Sequence, residues 1–176
     1  MTALTTFQKV PYPVGTDPLG DTDLRIKAIA DWIEDARSNR AKVYPNAALS
    51  VVTATPTLVP FTGEVYDPKN LHDNATNNTR ITAAKAGWYR VTAQVMWATN
   101  ATGWRYLTLI ANGVVFAQQL DMAATGTEVR HQITGTALLA VGGYVQLQVA
   151  HSAGVNLALT TDQTSSWFEA EWIGEA

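Results

Sequence analysis

Three histidines are the side chains best suited to metal binding or proton transfer, and they lie far apart in the chain, at His72, His131 and His151. None of them has the close spacing of a zinc motif such as HxH or HExxH. The chain has no cysteine, so neither a thiolate metal site nor a disulfide can form. His131 and His151 alternate with apolar neighbours. We therefore predict satisfied core or interface histidines in preference to metal ligands.

Acidic residues suggest two further kinds of chemistry. Glu64, Asp67 and Asp73 cluster with asparagines and offer hard oxygen ligands for Ca²⁺. No DxDxDG spacing supports that site, and a polar, turn-rich loop accounts for the same composition. Glycoside hydrolysis needs two carboxylates brought together by the fold, and the candidates are Glu64, Asp67, Asp121, Glu128, Glu169 and Glu171. No GxSxG elbow marks a serine nucleophile. We predict no catalytic residue, no metal and no cofactor, and a protein that is not an enzyme.

A binding function is suggested by the segment NATGWRY, which contains Asn100 and Trp104. Aromatic faces and planar amides suit carbohydrate, so these two residues form a candidate ligand rim. The alternative is that Trp104 begins a strand and packs into a subunit interface. The sequence favours this alternative.

Charge is scarce in the elements that must position any site. Charged residues make up 15% of the chain, against about 25% in an average soluble domain. Between Ile81 and Leu120 the only ionisable acids or bases are Lys85, Arg90 and Arg105. This segment therefore predicts a core together with a covered subunit interface. A net charge of −3 and the absence of a basic stripe argue against nucleic acid as a partner. The absence of a run of 18 apolar residues predicts no membrane insertion.

One helix is predicted close to the N-terminus, over residues 22–37, because Asp21, Thr22 or Asp23 can cap it. A row of its apolar positions follows the three-four spacing of a coiled-coil seam. The seam consists of Leu19, Ile26, Ile29 and Ile33. Isoleucine at both kinds of seam position disfavours dimers, which predicts a three-stranded stalk. An amphipathic helix lying on its own domain is the alternative.

Beyond Lys42 the helical period gives way to alternation with a period of two, interrupted by glycine and asparagine turns. The run Tyr89–Trp97 is an example, and Asn112-Gly113 has the residue types of a type I′ hairpin turn. Many such strands without helices between them predict an all-β, antiparallel jelly-roll sandwich. The predicted organisation is an extended arm over residues 1–20, a helical stalk over 21–40 and a jelly-roll trimerisation head over 41–176.

Large aromatic residues in the charge-poor strands are the predicted contacts between subunits. A monomer that exposed Trp88, Trp97 and Phe116 together would present an unusually large apolar patch. This pattern predicts a homotrimer. We assign the trimer core of the head to Tyr89, Trp97, Phe116 and Trp172.

Two stretches of the chain resemble known families. Five segments resemble the complement globular-head and tumour-necrosis-factor-like jelly-roll domain of phage and bacterial type. They are VPFTGEVYDPKNLHD, AGWYRV, WATNATGWRYLTLIANG, LLAVGGYVQLQV and SSWFEAEWI. Where that family usually has Gly-Asp, this chain has Gly142-Gly143. The resemblance implies a trimer built around flat, aromatic-rich sheet faces. The segment VPYPVGTDPLGDTDLRIKAIADWIEDA resembles minor tail and fibre proteins of phages that infect actinobacteria.

Together the resemblances imply a structural protein on the surface of a tailed-phage virion. The first ten residues have neither a basic start nor an apolar h-region, which predicts synthesis in the host cytoplasm without a signal peptide. A short stalk without fibre repeats favours a capsid decoration or head-fibre protein. The alternative is a minor tail or tail-fibre receptor-binding protein that engages host-surface glycan. The proline-rich arm is the predicted anchor to a capsid or tail protein. Its predicted anchoring residues are Phe7, Tyr12, Pro13 and Asp17.

Overall fold

The computed structural model describes residues 3–4, 11–12, 22–124 and 126–176, with side chains from residue 26 onward. Strand β1 (Ala3–Leu4) pairs with β2 (Pro11–Tyr12), so Tyr12 is described by its backbone alone. Four predicted residues of the arm and the seam lie outside the described ranges: Phe7, Pro13, Asp17 and Leu19. The anchoring role of the arm stays a prediction.

Helix α1 spans Thr22–Ser38, which confirms the predicted helix and extends it by one residue. Asn39 follows it, and both its backbone N–H and its side-chain amide donate to the Asp35 carbonyl, at 3.0 and 2.8 Å. These bonds serve one of the last carbonyls of a helix, which lack partners within it. Asp35 also forms a 2.9 Å salt bridge with Lys85, and Ala36 packs against the core. The C-terminal end of the helix is therefore attached to the head.

The described chain beyond the helix forms twelve β-strands in two antiparallel sheets. The strands are β3 (Arg40–Tyr44), β4 (Leu49–Val51), β5 (Thr57–Leu58), β6 (Gly63–Tyr66), β7 (Arg80–Thr82), β8 (Gly87–Trp97), β9 (Trp104–Ala111), β10 (Val114–Met122), β11 (Val129–Leu139), β12 (Tyr144–His151), β13 (Leu157–Leu159) and β14 (Trp167–Gly174). Because β3 begins at Arg40, the predicted boundary between residues 40 and 41 falls inside the first strand of the head.

Strands that are distant in sequence are neighbours in both sheets. The five-stranded sheet has the order β10-β9-β12-β5, and β7 also pairs with β12. In the seven-stranded sheet β8 lies between β11 and β14, and β14 continues to β3 and β6. The hairpin at Asn112-Gly113 has φ values of 49° and 81°, as a type I′ turn requires. The predicted all-β jelly-roll sandwich is confirmed.

One hydrophobic core fills the space between the sheets. Phe61 and Phe168 stack within it, with ring centroids 5.3 Å apart and planes inclined by 15°. Each is 1% exposed or less, so both rings contribute close to their full hydrophobic free energy. Within the described residues no helix is long and apolar enough to cross a membrane.

The sandwich has two distinct ends. Strand β8 is about 35 Å long, given its 11 residues, and it begins at Gly87, close to the salt bridge that holds the helix. We call this the stalk end. The loop after Trp97 lies at the opposite, distal end, so Asn100 and the start of β9 are far from the helix.

Candidate functional site

The outward surfaces of the two sheets differ in chemistry. The seven-strand face consists of the outward residues of β8, β11, β14 and β3, and the five-strand face consists of those of β9, β10 and β12. Residues alternate along each strand between the core and one of these faces. Each face therefore has its own set of candidate contact residues.

An apolar patch lies at the stalk end of the seven-strand face. Trp88 is 41% exposed, Leu138 is 52% exposed and Ile173 is 44% exposed. Leu138 is the register partner of Trp88 on one side, and Gly174 is its partner on the other. The three side chains thus lie on three adjacent strands. We call them the end patch.

Two charged side chains on the remainder of this face, Arg90 and Lys42, have partners within the chain. Arg90 donates to Glu171 at 2.6 Å, and this bond raises the pKa of the guanidinium. Lys42 lies 4.0 Å from the ring centroid of Trp167, within the range of a cation–π contact. The exposed Arg130 of β11 differs, because among the described residues its guanidinium donates only to the Met96 sulfur, at 3.1 Å.

The residues predicted to form the trimer core lie elsewhere. Tyr89, Trp97 and Trp172 are 1%, 0% and 2% exposed within a single chain, because they point into its own core. Phe116 on β10 is partly buried and also packs against that core. Burial corrects the assignment of Tyr89, Trp97 and Trp172, since a side chain without exposed surface cannot touch a second chain. Phe116 keeps some exposed surface, and its contact with another subunit stays a prediction. The outward neighbour Trp88 takes the surface position instead.

The predicted stalk seam is only partly covered by the head. Ile26 and Ile33 are 58% and 45% exposed, and Ile29 between them is half-buried. Residues seven apart lie on nearly the same face of a helix. The helix therefore presents an apolar row that the described part of the chain does not cover.

A buried arginine holds the distal loop in place. Arg105 is 0% exposed, and its guanidinium donates to the carbonyls of Thr102 (3.0 Å), Trp104 (3.1 Å) and Asn100 (2.9 Å). Burial lowers the pKa of Arg105. Sequence reasoning missed this role. The alternation pattern could have indicated it, because Arg105 lies on the same side of β9 as the buried Leu107.

The buried histidines are held in different ways. His151 donates from Nε2 to the Val51 carbonyl at 3.0 Å and accepts from the Ala153 N–H at 3.2 Å, which confirms a satisfied core histidine. His131 is 4% exposed, but neither ring nitrogen has a hydrogen-bond partner among the described residues. Its hydrogen bonds are therefore not satisfied within the described chain, and the interface role that the sequence also allowed stays a prediction.

Charged groups near His131 come from two neighbouring strands. The nearest acidic oxygen is Oδ2 of Asp121, 3.8 Å from Nε2. Burial lowers the pKa of His131, the Asp121 carboxylate raises it and Arg105 lowers it. The imidazole is therefore a buried base whose burial is only weakly offset by the Asp121 carboxylate. Asp121 and Arg105 are themselves register partners on β10 and β9.

The acidic loop residues stabilise turns. Asp67 accepts hydrogen bonds from the backbone N–H groups of Leu71 and His72, both at 2.8 Å. Glu64 accepts from the Asn74 side chain at 2.9 Å. Across the described ranges, no group of three or more acidic or histidine side chains is placed to hold a metal ion.

The two residues of the predicted ligand rim are both at the distal end, but on different elements. Asn100 lies in the loop, where its side-chain oxygen accepts from the Thr102 N–H at 2.8 Å. Trp104 begins β9, as the alternative interpretation predicted, and is half-buried on the five-strand face. Its ring meets that of Tyr106 edge to face, with centroids 6.2 Å apart.

Comparison with known proteins identifies the fold. Neither a protein-family model nor a curated protein sequence matches this chain. Among solved structures, murine APRIL at pH 8.0 superposes with a TM-score of 0.60 at 12% identity, covering 76% of this chain and 98% of that one. Eiger TNF from S. frugiperda gives 0.59 at 14%, covering 78% and 93%. The globular domain of zebrafish complement 1qA gives 0.57 at 15%, covering 78% and 99%.

These similarities define the class. The chain has the jelly-roll fold shared by tumour-necrosis-factor-like and complement globular-head domains, and each of the three domains is covered almost completely. At this level of identity the likeness concerns the fold alone, and function must be argued from the surfaces.

Proposed function

We propose that this protein is a homotrimeric structural component of a tailed-phage virion surface, as a capsid decoration or head-fibre protein without catalytic activity. The observation that carries the self-association is the end patch. Its three apolar side chains are exposed on three adjacent strands, beside the paired Arg90 and Glu171. Ile26 and Ile33 form a second exposed apolar surface, on the helix that is attached at the same end of the head.

The end patch suits a rotationally symmetric assembly. It lies at the stalk end, beside the attachment of the helix, so subunits that meet through it also bring their helices together. Three helices with isoleucine at seam positions then cover the row that the head leaves exposed. A closed ring of three subunits buries all copies of the patch without leaving an open surface for filament growth.

The assembly is tested with the substitution Trp88→Glu. Light scattering of the wild type should give about three times the chain mass of 19.0 kDa, and W88E should give a single-chain mass, because a carboxylate in the interface lacks a partner. The matched control is Val155→Glu, at a residue that is 57% exposed in a distal loop. It should remain trimeric. A wild-type mass near 19 kDa refutes the trimer, and the circular dichroism spectrum shows whether each variant is folded.

Attachment to the virion is assigned to the arm over residues 1–20, through Phe7, Tyr12, Pro13 and Asp17. Support comes from the arm's proline content, which leaves less conformational freedom to lose on docking, and from the three copies that a trimer presents together. Purified trimers lacking residues 1–18 should fail to rebind particles stripped of the protein. Undiminished rebinding would place the attachment site elsewhere.

The second candidate is a minor tail or tail-fibre protein whose head engages host-surface glycan. The observation in its favour is the position of Asn100 and Trp104, at the end of the sandwich opposite the stalk. Immunogold labelling of intact particles distinguishes the two candidates, because label on the capsid supports the first and label on the tail supports the second.

A further inference from the structure

The five-strand face presents aromatic and amide side chains without charge. The outward residues of β9, β10 and β12 include Trp104, Tyr106, Gln118 and Gln148, together with the exposed apolar Leu120 and Met122, and none of the outward positions on these three strands carries a charged side chain. The seven-strand face, by contrast, carries the Arg90–Glu171 ion pair and further charged side chains. The five-strand face is therefore the one suited to an uncharged ligand.

Strand register arranges these residues in rows across the sheet. In one row Gln148, Thr108 and Gln118 are consecutive partners on β12, β9 and β10. The next row has Tyr106 at its centre, with the small Ala150 on one side and the exposed Leu120 on the other. Ala150 leaves space beside the tyrosine ring that a larger residue would fill. Rows on one face of a sheet are about 7 Å apart.

The amides of the first row are available for a ligand. Gln118 is exposed and Gln148 is half-buried, and neither forms a side-chain hydrogen bond to another described residue. They flank a central strand, so their backbones are about 10 Å apart. Each amide offers donors and an acceptor. One row away, the edge-to-face pair of Trp104 and Tyr106 leaves the face of one ring uncovered by the other.

We propose that this surface binds a neutral glycan, with a pyranose ring stacked on the Trp104–Tyr106 pair and its hydroxyls bonded to Gln118 and Gln148. The apolar C–H face of a sugar ring packs on an aromatic ring, whose face is electronegative. A hydroxyl exchanges hydrogen bonds with a planar amide in both directions. An acidic sugar would need an arginine or lysine at these positions, and the three strands present none there.

The rows from Trp104 to Thr108 cover about 14 Å along the strands and about 10 Å across them. These dimensions accommodate a short oligosaccharide. Binding at one such site is weak, so the proposal rests on the proposed trimer for avidity.

The test uses the full chain on an array of neutral oligosaccharides (maltohexaose, cellohexaose, mannohexaose and chitohexaose) beside acidic ones (oligogalacturonate and sialyllactose). The expected result is binding to at least one neutral oligosaccharide and to neither acidic one. Tyr106→Ala and Gln118→Glu should each weaken single-site affinity at least tenfold in calorimetry. The matched control is Gln163→Glu, at an exposed residue of a distal loop outside the face, and it should bind like the wild type.

Absence of binding to every neutral oligosaccharide overturns the proposal, as does undiminished affinity in folded Y106A. Because Gln118 is exposed, Q118E keeps the test decisive if Y106A fails to fold. Failure of the proposed function is seen separately. A monomeric mass would refute the trimer, and absence of the chain from purified virions would refute the virion role. Neither result changes the ratio between the single-site affinities of wild type and Y106A, which tests the glycan site.

Discussion

Replacing His131 with leucine should stabilise this protein, although most core substitutions destabilise. His131 is 4% exposed and its two ring nitrogens have no hydrogen-bond partner among the described residues. A buried polar atom left unpaired costs about 1–3 kcal/mol. The carboxylate of Asp121, 3.8 Å away, compensates weakly. Taking the lower end of the range for each nitrogen, H131L should gain about 2 kcal/mol at pH 8.

The matched control is His151→Leu. His151 is 0% exposed, and removing its imidazole leaves the Val51 carbonyl and the Ala153 N–H without partners. It also removes an edge contact with Trp97, whose ring centroid is 5.4 Å away. H151L should therefore lose about 2–4 kcal/mol. Two histidines of equal burial thus have opposite expected effects, because only one of them is hydrogen-bonded.

The pH dependence provides a second readout for His131. Burial lowers the pKa of His131 in the folded protein. In the unfolded chain the imidazole takes up a proton as the pH falls below about 6.5. In the folded chain it does so only at lower pH. The contribution of this group to stability is therefore complete above pH 6.5 and is lost as the pH falls through the folded pKa. The advantage of H131L over wild type should be larger at pH 5 than at pH 8.

Urea unfolding at fixed protein concentration measures both effects, since oligomerisation would otherwise shift the midpoint. If H131L is less stable than wild type at pH 8, the imidazole has a partner and the reasoning fails. An advantage that does not grow between pH 8 and pH 5 contradicts the assignment of His131 as a buried neutral base beside Asp121 and Arg105.

The backbone and the domain boundary provide two further predictions. Gly87→Ala should cost at least about 2 kcal/mol, because the φ of Gly87 is 140° and an added Cβ would lie 2.3 Å from the Gly174 carbonyl oxygen. Gly113→Ala should cost only about 1 kcal/mol, because Gly113 has a φ of 81° but open space around it. Equal shifts in the melting temperatures of the two variants would contradict this. A chain that starts at Asn39 should fold and keep the oligomeric mass, because the first strand of the head begins at residue 40. A far-ultraviolet circular dichroism spectrum of an unfolded chain would show instead that the helix is required.

The sequence by itself determined the local elements and the fold class. Helix α1 follows from capping residues and a three-four apolar spacing, and the turn at Asn112-Gly113 follows from two residue types that tolerate positive φ. Period-two alternation without intervening helices is enough to predict a jelly-roll sandwich. These features depend on residues close together in the chain, so their physical causes are visible in one dimension.

Only the tertiary structure decided what each apolar strand face packs against and which strands are neighbours. In β8 the alternation indicates that Tyr89 and Trp97 lie on the apolar side, but it does not show whether that side meets the second sheet of the same chain or another subunit. Burial shows that Tyr89 is inside and Trp88 outside. The alignment of Gln118 with Gln148 across β9 depends on the register of three paired strands. Such register is set by the packing of the whole core, because shifting a strand by one residue would exchange its buried and exposed sides.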